Sequence, residues 1–214
     1  LRMSNTHDFI APAIKTELFL KIGLVMMGAR IAFGQILAKG FGGLLQGIIM
    51  VTAVFFFTWW LATKMNLGDT LKAVMATAVS ICGVSAAIAA AGSVLAKKEE
   101  ITYITALVIL TALPLMVIMP YLATAMNLPN DVAGAWFGGN IDTTAAVVGA
   151  GTIHGEEAQQ VAAVVKMAQN VLIGVAAFAL ALYFVVLVER KPDERPSANM
   201  IWKRFPKFVI AFLI

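Results

Sequence analysis

The sequence predicts an all-α integral membrane protein: one helical bundle with two discontinuous or re-entrant helices and an internal, inverted repeat. Of its 214 residues, 60% are hydrophobic and only 13% are charged, whereas a water-soluble domain has roughly 25% charged residues. The apolar residues form runs of about 20, the length that crosses a hydrocarbon core of roughly 30 Å as a helix. Two of these runs carry glycine and small polar residues at their centres, and they predict the discontinuous helices.

The net charge of +4 does not indicate a nucleic-acid-binding protein, because the Lys and Arg residues lie between apolar runs. That distribution is typical of cytoplasmic loops beside anionic lipid. The single cysteine, Cys82, excludes an internal disulfide, and His7 and His154 lie too far apart for a metal-ligand motif. Phosphate-loop, HExxH and nucleophile-elbow motifs are absent from the sequence. We therefore expect no metal, no cofactor and no enzymatic activity.

Both ends of the sequence have the features of a cut chain, since it begins with Leu1 and ends within the apolar run 208–214. We expect a single transmembrane domain over residues 1–214, truncated at both ends, from a longer multi-pass protein of the inner (plasma) membrane. The basic loop 189–207 should be cytoplasmic. Lipid is the expected partner, nucleic acid is not, and a homodimer is left open.

Seven apolar segments follow one another along the chain. Segments B, D and F are the most secure membrane spans, because each is long and almost free of charge. Segment A contains Lys21 and Arg30 and is a weaker candidate. The segments are A (18–37), B (41–63), C (71–96), D (101–126), E (132–153), F (158–188) and G, which begins near Phe208.

Segments C and E resemble each other and predict the repeat. SAAIAAAGSV (85–94) and TAAVVGAGTI (144–153) carry small or β-branched residues of similar type at eight positions. Each stretch is followed by a glutamate pair, Glu99–Glu100 or Glu156–Glu157, and then by another apolar helix. We predict repeat units at 68–127 and 128–188.

Charge favours segments C and E as re-entrant hairpins over full crossings. Hairpins place the basic connections on the side of the loop 189–207, whereas full crossings place Lys97 and Lys98 outside, against the positive-inside rule. Hairpins also invert the two repeat units, because each unit then contains one crossing. In the hairpin arrangement Lys64, Lys72, Lys97 and Lys98 lie inside, and Asp131, Glu156 and Glu157 lie outside.

The centres of segments C and E are the predicted substrate site. An interrupted membrane helix leaves peptide groups without partners, which is tolerated where the backbone lines a polar site. The free amides favour a negatively charged ligand, and paired interruptions near the midplane form the site of many secondary transporters. The predicted site residues are Ser80, Gly83, Ser85, Gly139, Asn140, Thr143 and Thr144.

Charged residues within apolar segments are costly and therefore suggest function. Asp142 and Lys166 are expected to form a charge pair that tunes the site or carries a coupling ion, although Lys166 could instead face an anion. Arg30 either contacts substrate or extends to the membrane interface. Gln169 and Asn170, one turn beyond Lys166, are candidates for the same cavity.

Five stretches along the chain carry a resemblance to a known family. In order they are GLVMMGARIAFGQILAKG (23–40), SICGVSAAIAA (80–90), KEE (98–100), the centre of segment E, and EEAQQVAAVVKMAQN (156–170). Together they resemble the YeiH-type family of sulfate exporters across nearly the whole chain. The resemblance implies a longer transporter, grouped with bile-acid symporters and cation–proton antiporters. It supports Cys82, Gly83, Ser85 and Lys166 as site residues.

The sequence departs from the family pattern at three places. Asp142 and Thr143 stand where family members often have a histidine followed by an acid. Ala146 stands where glutamine is common, and Gln169 stands where an arginine commonly follows the lysine of segment F. The expected site is therefore less positive, which leaves the substrate and the coupling ion open.

The sequence thus predicts a secondary active transporter of a small anion, coupled to Na⁺ or H⁺. The anion would be sulfate, a related sulfur oxyanion or an organic anion. One alternative is a cation–proton antiporter in which Asp142 binds the ion. The other is a non-transporting membrane subunit or sensor, in which segments C and E only pack.

Overall fold

The computed structural model describes residues 33–188, apart from the side chains of residues 33–41, 43 and 44. This part is all-helical, with seven helices and no strand in the described range. Arg30, segment G, most of segment A and the loop 189–207 lie outside it. The helices are α1 (Phe33–Lys64), α2 (Asp69–Ser80), α3 (Val84–Val94), α4 (Lys98–Ala125), α5 (Asn130–Asn140), α6 (Thr144–His154) and α7 (Glu156–Tyr183), and a π-helical turn (Phe184–Val188) continues α7.

Three described helices are long and apolar enough to cross a membrane: Leu45–Lys64 of α1, Lys98–Ala125, and Glu156–Val188. Their outward faces carry large apolar side chains, such as Leu110, Tyr121 and Val175, each more than 60% exposed. In water such a surface would be costly, whereas hydrocarbon accepts it. Composition and fold therefore agree on a helical membrane protein.

Helix α1 corrects one predicted boundary. It runs without interruption from Phe33 to Lys64, so the connection predicted between segments A and B at residues 38–40 is wrong. Lys39, Gly40 and the glycines that follow made this stretch resemble a loop. A glycine in a helix costs only about 1 kcal/mol, and in an apolar environment the helix keeps its backbone hydrogen bonds satisfied.

The start of α2 and the end of α3 lie at the same end of the bundle. Thr70, in the first turn of α2, donates its hydroxyl to Oε1 of Glu100 at 2.9 Å, and Glu100 lies in the first turn of α4. Only three residues separate the end of α3 at Val94 from the start of α4. The end of α1 lies nearby, because the Lys72 ammonium is 5.4 Å from the centre of the Trp59 ring.

Helices α5 and α6 have the matching arrangement at the far end of α4. Asn130, the first residue of α5, donates from Nδ2 to Oε2 of Glu157 at 3.4 Å, and Glu157 lies in the first turn of α7. At the end of α6, Nδ1 of His154 is 3.4 Å from Oγ1 of Thr124, which lies near the end of α4. The outer ends of the two short helix pairs therefore lie at opposite ends of the bundle.

Helix α7 is the central element, and it packs against α1, α3, α5 and α6. Its contact with α5 depends on glycine. A Cβ on Gly134 would lie 2.4 Å from the carbonyl oxygen of Ala158, and one on Gly138 would lie 2.6 Å from that of Ala162. Small residues permit this close approach of membrane helices, and it positions the polar side chains of α7 beside the end of α5.

Candidate functional site

Two short non-helical segments meet inside the bundle. Turn 1 (residues 81–83) separates α2 from α3, and turn 2 (residues 141–143) separates α5 from α6. A Cβ built on Gly83 would lie 3.5 Å from Cβ of Asp142 and 3.6 Å from its carbonyl oxygen. The two predicted centres of segments C and E are therefore in contact through Gly83 and Asp142.

Turn 1 requires glycine at position 83 for two reasons. The backbone of Gly83 has φ +65°, in the left-handed region that other residues rarely adopt. In addition, a Cβ at this position would lie 2.4 Å from Cγ1 of Val108 on α4. Turn 1 is thus folded tightly against α4 as well as against turn 2.

Four helix ends face one another at the turns. Helices α2 and α5 end there, and α3 and α6 begin there, so the negative ends of two helix dipoles lie close to the positive ends of two others. Thr143 caps α6, because its hydroxyl oxygen accepts a hydrogen bond of 3.3 Å from the Ala146 amide. The turns therefore form a polar region within an apolar core.

A chain of hydrogen bonds through two buried side chains joins turn 1 to the end of α5. The Lys166 ammonium donates to the carbonyl oxygen of Ile81 at 2.9 Å and to Oε1 of Gln169 at 2.7 Å. Gln169 donates in turn from Nε2 to the carbonyl oxygen of Gly139 at 3.4 Å. The Lys166 and Gln169 side chains are 1% and 0% exposed. They supply hydrogen bonds to carbonyl groups that the ends of α2 and α5 leave without intrahelical partners.

Asp142 and Lys166 interact electrostatically within this centre. Besides its hydrogen bonds to Ile81 and Gln169, the Lys166 ammonium interacts with Cys82 of turn 1 and, more weakly, with Asp142. Opposite charges lower the cost of removing each other from water. The two residues that were predicted as a charge pair therefore lie in one polar centre.

A pocket of about 340 Å³ lies beside turn 2, between α1, α2 and α4. Its described lining combines polar residues, here called the floor, with apolar residues, here called the walls. Among the described residues that line it, Asp142 is the one that carries a charge. The floor consists of Ser80, Thr111, Gly139, Asn140 and Asp142, and the walls include Met50, Val54, Met75, Val79, Leu107 and Leu115.

The other predicted site residues lie in the turns and behind them. Cys82 is buried in turn 1, and Ser85 is half-buried in the first turn of α3. Thr144 is half-buried as the first residue of α6. The structure therefore gathers the predicted residues of segments C, E and F into one region, and the roles assigned to them stay predictions.

The side chain of Asn170 has a buried oxygen atom that could accept a further hydrogen bond. Its Oδ1 is buried and has no hydrogen-bond partner in the described part of the chain. An unpaired buried acceptor costs about 1–3 kcal/mol, so this oxygen is available to a water, an ion or a ligand. Asn170 lies one helical turn beyond Lys166.

Sequence reasoning missed two residues at the site. Gln46 of α1 donates from Nε2 to the carbonyl oxygen of Ala135 at 3.1 Å, and this nitrogen would be 3.0 Å from a Cβ on Gly139. A glutamine within an apolar helix was the available signal. Thr111 lines the pocket while its hydroxyl donates to backbone carbonyls of its own helix, and nothing in the sequence distinguishes it from other threonines.

A helical bundle with an apolar exterior and a buried polar centre defines a polytopic membrane protein. A family described as "Conserved hypothetical protein 698" matches residues 9–214, and the chain belongs to that family. The predicted resemblance to the YeiH-type family is confirmed by this match.

The chain is similar to curated proteins named "UPF0324 membrane protein". It is 44% identical to one from Rhodopirellula baltica over 98% of the chain and 39% of the relative. It is 41% identical to one from Nitratidesulfovibrio vulgaris over 98% of the chain and 36% of the relative. A third, from Nitrosomonas europaea, is 33% identical over 98% of the chain and 48% of its own length. The chain thus spans less than half the length of these relatives, and no solved structure matches it.

Proposed function

We propose that this chain forms the substrate-binding core of a secondary active transporter for a small anion. The substrate would be sulfate, a related sulfur oxyanion or an organic anion, and transport would be coupled to Na⁺ or H⁺. The observation that carries the proposal is the contact of turn 1 with turn 2 at Gly83 and Asp142. Non-helical backbone inside a membrane protein is tolerated where it is buried or lines a cavity, and many secondary transporters bind substrate between such segments.

The proposal includes two re-entrant hairpins of opposite orientation, α2–α3 and α5–α6, within inverted repeat units at 68–127 and 128–188. The Thr70–Glu100 bond supports the first hairpin, because it brings the start of α2 to the chain that follows α3. The Asn130–Glu157 bond supports the second in the same way at the other end of α4. Each unit then contains one full crossing, which reverses the orientation of the next unit.

Charge supports one orientation of this bundle in the inner (plasma) membrane. The end of the bundle that holds the start of α2 carries Lys64, Lys72, Lys97 and Lys98 beside the acidic Asp69, Glu99 and Glu100. The described residues at the other end include Asp131, Glu156 and Glu157 and no Lys or Arg. The positive-inside rule places the basic end, and with it the loop 189–207, in the cytoplasm.

The anion would bind where α3 and α6 begin, since the amino ends of helices favour negative charge. Ser85, Asn140 and Thr144 would donate hydrogen bonds to it. An anion bound there would lie close to the Asp142 carboxylate and be repelled by it. A proton or Na⁺ on Asp142 would therefore have to accompany the substrate. Lys166 would hold turn 1 in place and balance Asp142 when the site is empty. Coupling of anion and cation would follow from this electrostatic arrangement.

The test is anion flux into proteoliposomes that contain the full-length protein, with and without a Na⁺ or H⁺ gradient. Ser85→Leu and Asn140→Leu should abolish flux without loss of the folded protein. Gly92→Leu on α3 is the matched control, because the space around Gly92 is open. Full flux in both site variants would instead favour a non-transporting subunit or sensor, in which these helices only pack.

One observation favours a second candidate function, cation–proton antiport. Asp142 supplies the charge in the described lining of the pocket, and a carboxylate there suits a small cation. In that case Asp142→Asn would abolish cation-driven proton movement, and the activity would not depend on any external anion. The same liposomes, with a pH-sensitive dye inside, distinguish the two functions.

A further inference from the structure

We propose that the substrate is an organic anion with an apolar tail, whose tail lies along the walls of the pocket beside turn 2. This inference rests on the proposed function and narrows its substrate class. An inorganic oxyanion such as sulfate is excluded as the preferred ligand of this pocket.

The composition of the pocket walls is the first reason. Met50 and Val54 of α1, Met75 and Val79 of α2, and Leu107 and Leu115 of α4 place apolar surface on three sides. A hydrated inorganic dianion in this space would lose water to surfaces that offer no hydrogen bonds, which is costly. An alkyl chain gains free energy from the same surfaces, because it leaves water.

The size of the pocket is the second reason. At about 340 Å³, it lies within the range of roughly 300–1,000 Å³ that is typical of pockets for organic ligands. Such pockets are mainly apolar, with a few polar groups that orient the ligand. A small inorganic ion would leave most of the volume unfilled.

The position of the polar groups gives the orientation. Ser80, Asn140 and Asp142 all line the pocket, and Asp142 lies two residues before α6 begins; Asn140 is also a donor of the proposed anion site. The charged head of the ligand would lie at this floor, with Asp142 neutralised by the coupling ion, and the tail would extend between α1 and α4. The tail would then supply affinity that charge alone cannot supply, because the described lining of the pocket contains no cationic side chain.

The experiment is a chain-length series on the purified full-length protein: sulfate, methanesulfonate, butanesulfonate and hexanesulfonate, in the presence of Na⁺ at fixed mildly acidic pH. Equilibrium binding should strengthen roughly fourfold for each methylene that enters the pocket. Val54→Phe should flatten this increase by filling the space for the tail. Val175→Phe is the control, because Val175 is 65% exposed on α7 and does not line the pocket.

The outcomes separate this inference from the proposed function. Sulfate bound as tightly as hexanesulfonate, with flux intact, overturns the inference and leaves the anion transporter in place. An undiminished chain-length dependence in Val54→Phe overturns the assignment to this pocket. Binding of alkylammonium ions of the same lengths and of no anion overturns both proposals in favour of cation transport. Neither binding nor flux of any anion also overturns both.

Discussion

The Lys166 ammonium donates a 2.9 Å hydrogen bond to the carbonyl oxygen of Ile81, a residue 85 positions earlier in the chain. This bond fastens turn 1 to α7, a membrane-spanning helix. It also places a positive charge at the carboxyl end of α2, where the helix dipole is negative. The bond therefore has an energetic role that can be measured separately from transport.

Replacement of Lys166 with methionine should destabilise the protein by about 3 kcal/mol, because it removes the donor to the Ile81 carbonyl and to Gln169 and also the charge opposite Asp142. Thermal unfolding of the full-length protein in detergent measures this loss. Lys98→Met is the control, since Lys98 is exposed, and it should change stability by less than about 0.5 kcal/mol. Equal stability of the two variants would contradict the assigned role of Lys166.

Two replacements of Gln169 should distinguish the contribution of its hydrogen-bond donor, Nε2, from that of its acceptor, Oε1. Gln169→Leu removes the hydrogen bond to Gly139 and the acceptor for Lys166, so we expect a stability loss of about 2 kcal/mol and loss of flux. Gln169→Glu keeps the acceptor and adds a charge beside Lys166, so the stability loss should be smaller. Loss of flux in both variants, with stability preserved only in the glutamate variant, would identify the bond to Gly139 as the functional one.

Gly83→Ala should cost about 3 kcal/mol, from the positive φ and from the contact with Val108. In a Val108→Ala background the same change should cost only about 1 kcal/mol, because the clash is removed while the backbone strain remains. Gly92→Ala, in open space on α3, should be neutral or slightly stabilising. An identical cost of Gly83→Ala in both backgrounds would rule out the contact with Val108.

Asp142→Asn should uncouple transport. The amide mimics the neutral state of the carboxyl group, so the anion no longer needs a cation to accompany it. We expect anion exchange between two compartments to persist, whereas accumulation driven by a Na⁺ or H⁺ gradient is lost. Gradient-driven accumulation at the normal level in this variant would contradict the coupling role of Asp142.

Cysteine labelling tests the two hairpins directly. In a Cys82→Ala background, single cysteines at Asn66 and Lys97 should react with a membrane-impermeant reagent from one side only. Cysteines at Asn127 and Glu156 should react from the opposite side, and all four positions are exposed. If α2 and α3 together crossed the membrane, the cysteine at position 97 would react from the side opposite to that at position 66.

The spans that could be predicted from the sequence are those that hydropathy alone specifies. Segments D and F coincide with α4 and α7 within a few residues, because long apolar runs with little or no charge have one stable conformation in lipid. The boundary between segments A and B failed because Lys39 and the nearby glycines have the composition of a loop, while the helix tolerates them. The composition of this stretch reflects a local preference for a loop, whereas an apolar environment stabilises the uninterrupted helix.

The residues of the site could be predicted from the sequence, whereas the hydrogen bonds between them could not. Asp142, Lys166 and Gln169 stand out because polar residues in apolar segments are costly. That Lys166 bonds to Ile81 and Gln169, rather than directly to Asp142, depends on how α7 is rotated against α2, and one sequence does not specify that rotation. The pocket is lined by residues of α1, α2, α4, α5 and turn 2, so no local sequence pattern predicts it.

The bonds Thr70–Glu100 and Asn130–Glu157 fasten the two short helix pairs at opposite ends of the bundle. Rupture of one bond would loosen one pair at its own surface while the other pair stays closed. In the proposed hairpins neither movement would carry a polar connection through hydrocarbon, because both outer ends of each pair would lie in the same aqueous layer. Access from each compartment could therefore be regulated locally, with turns 1 and 2 as the place, within residues 33–188, where the two movements meet.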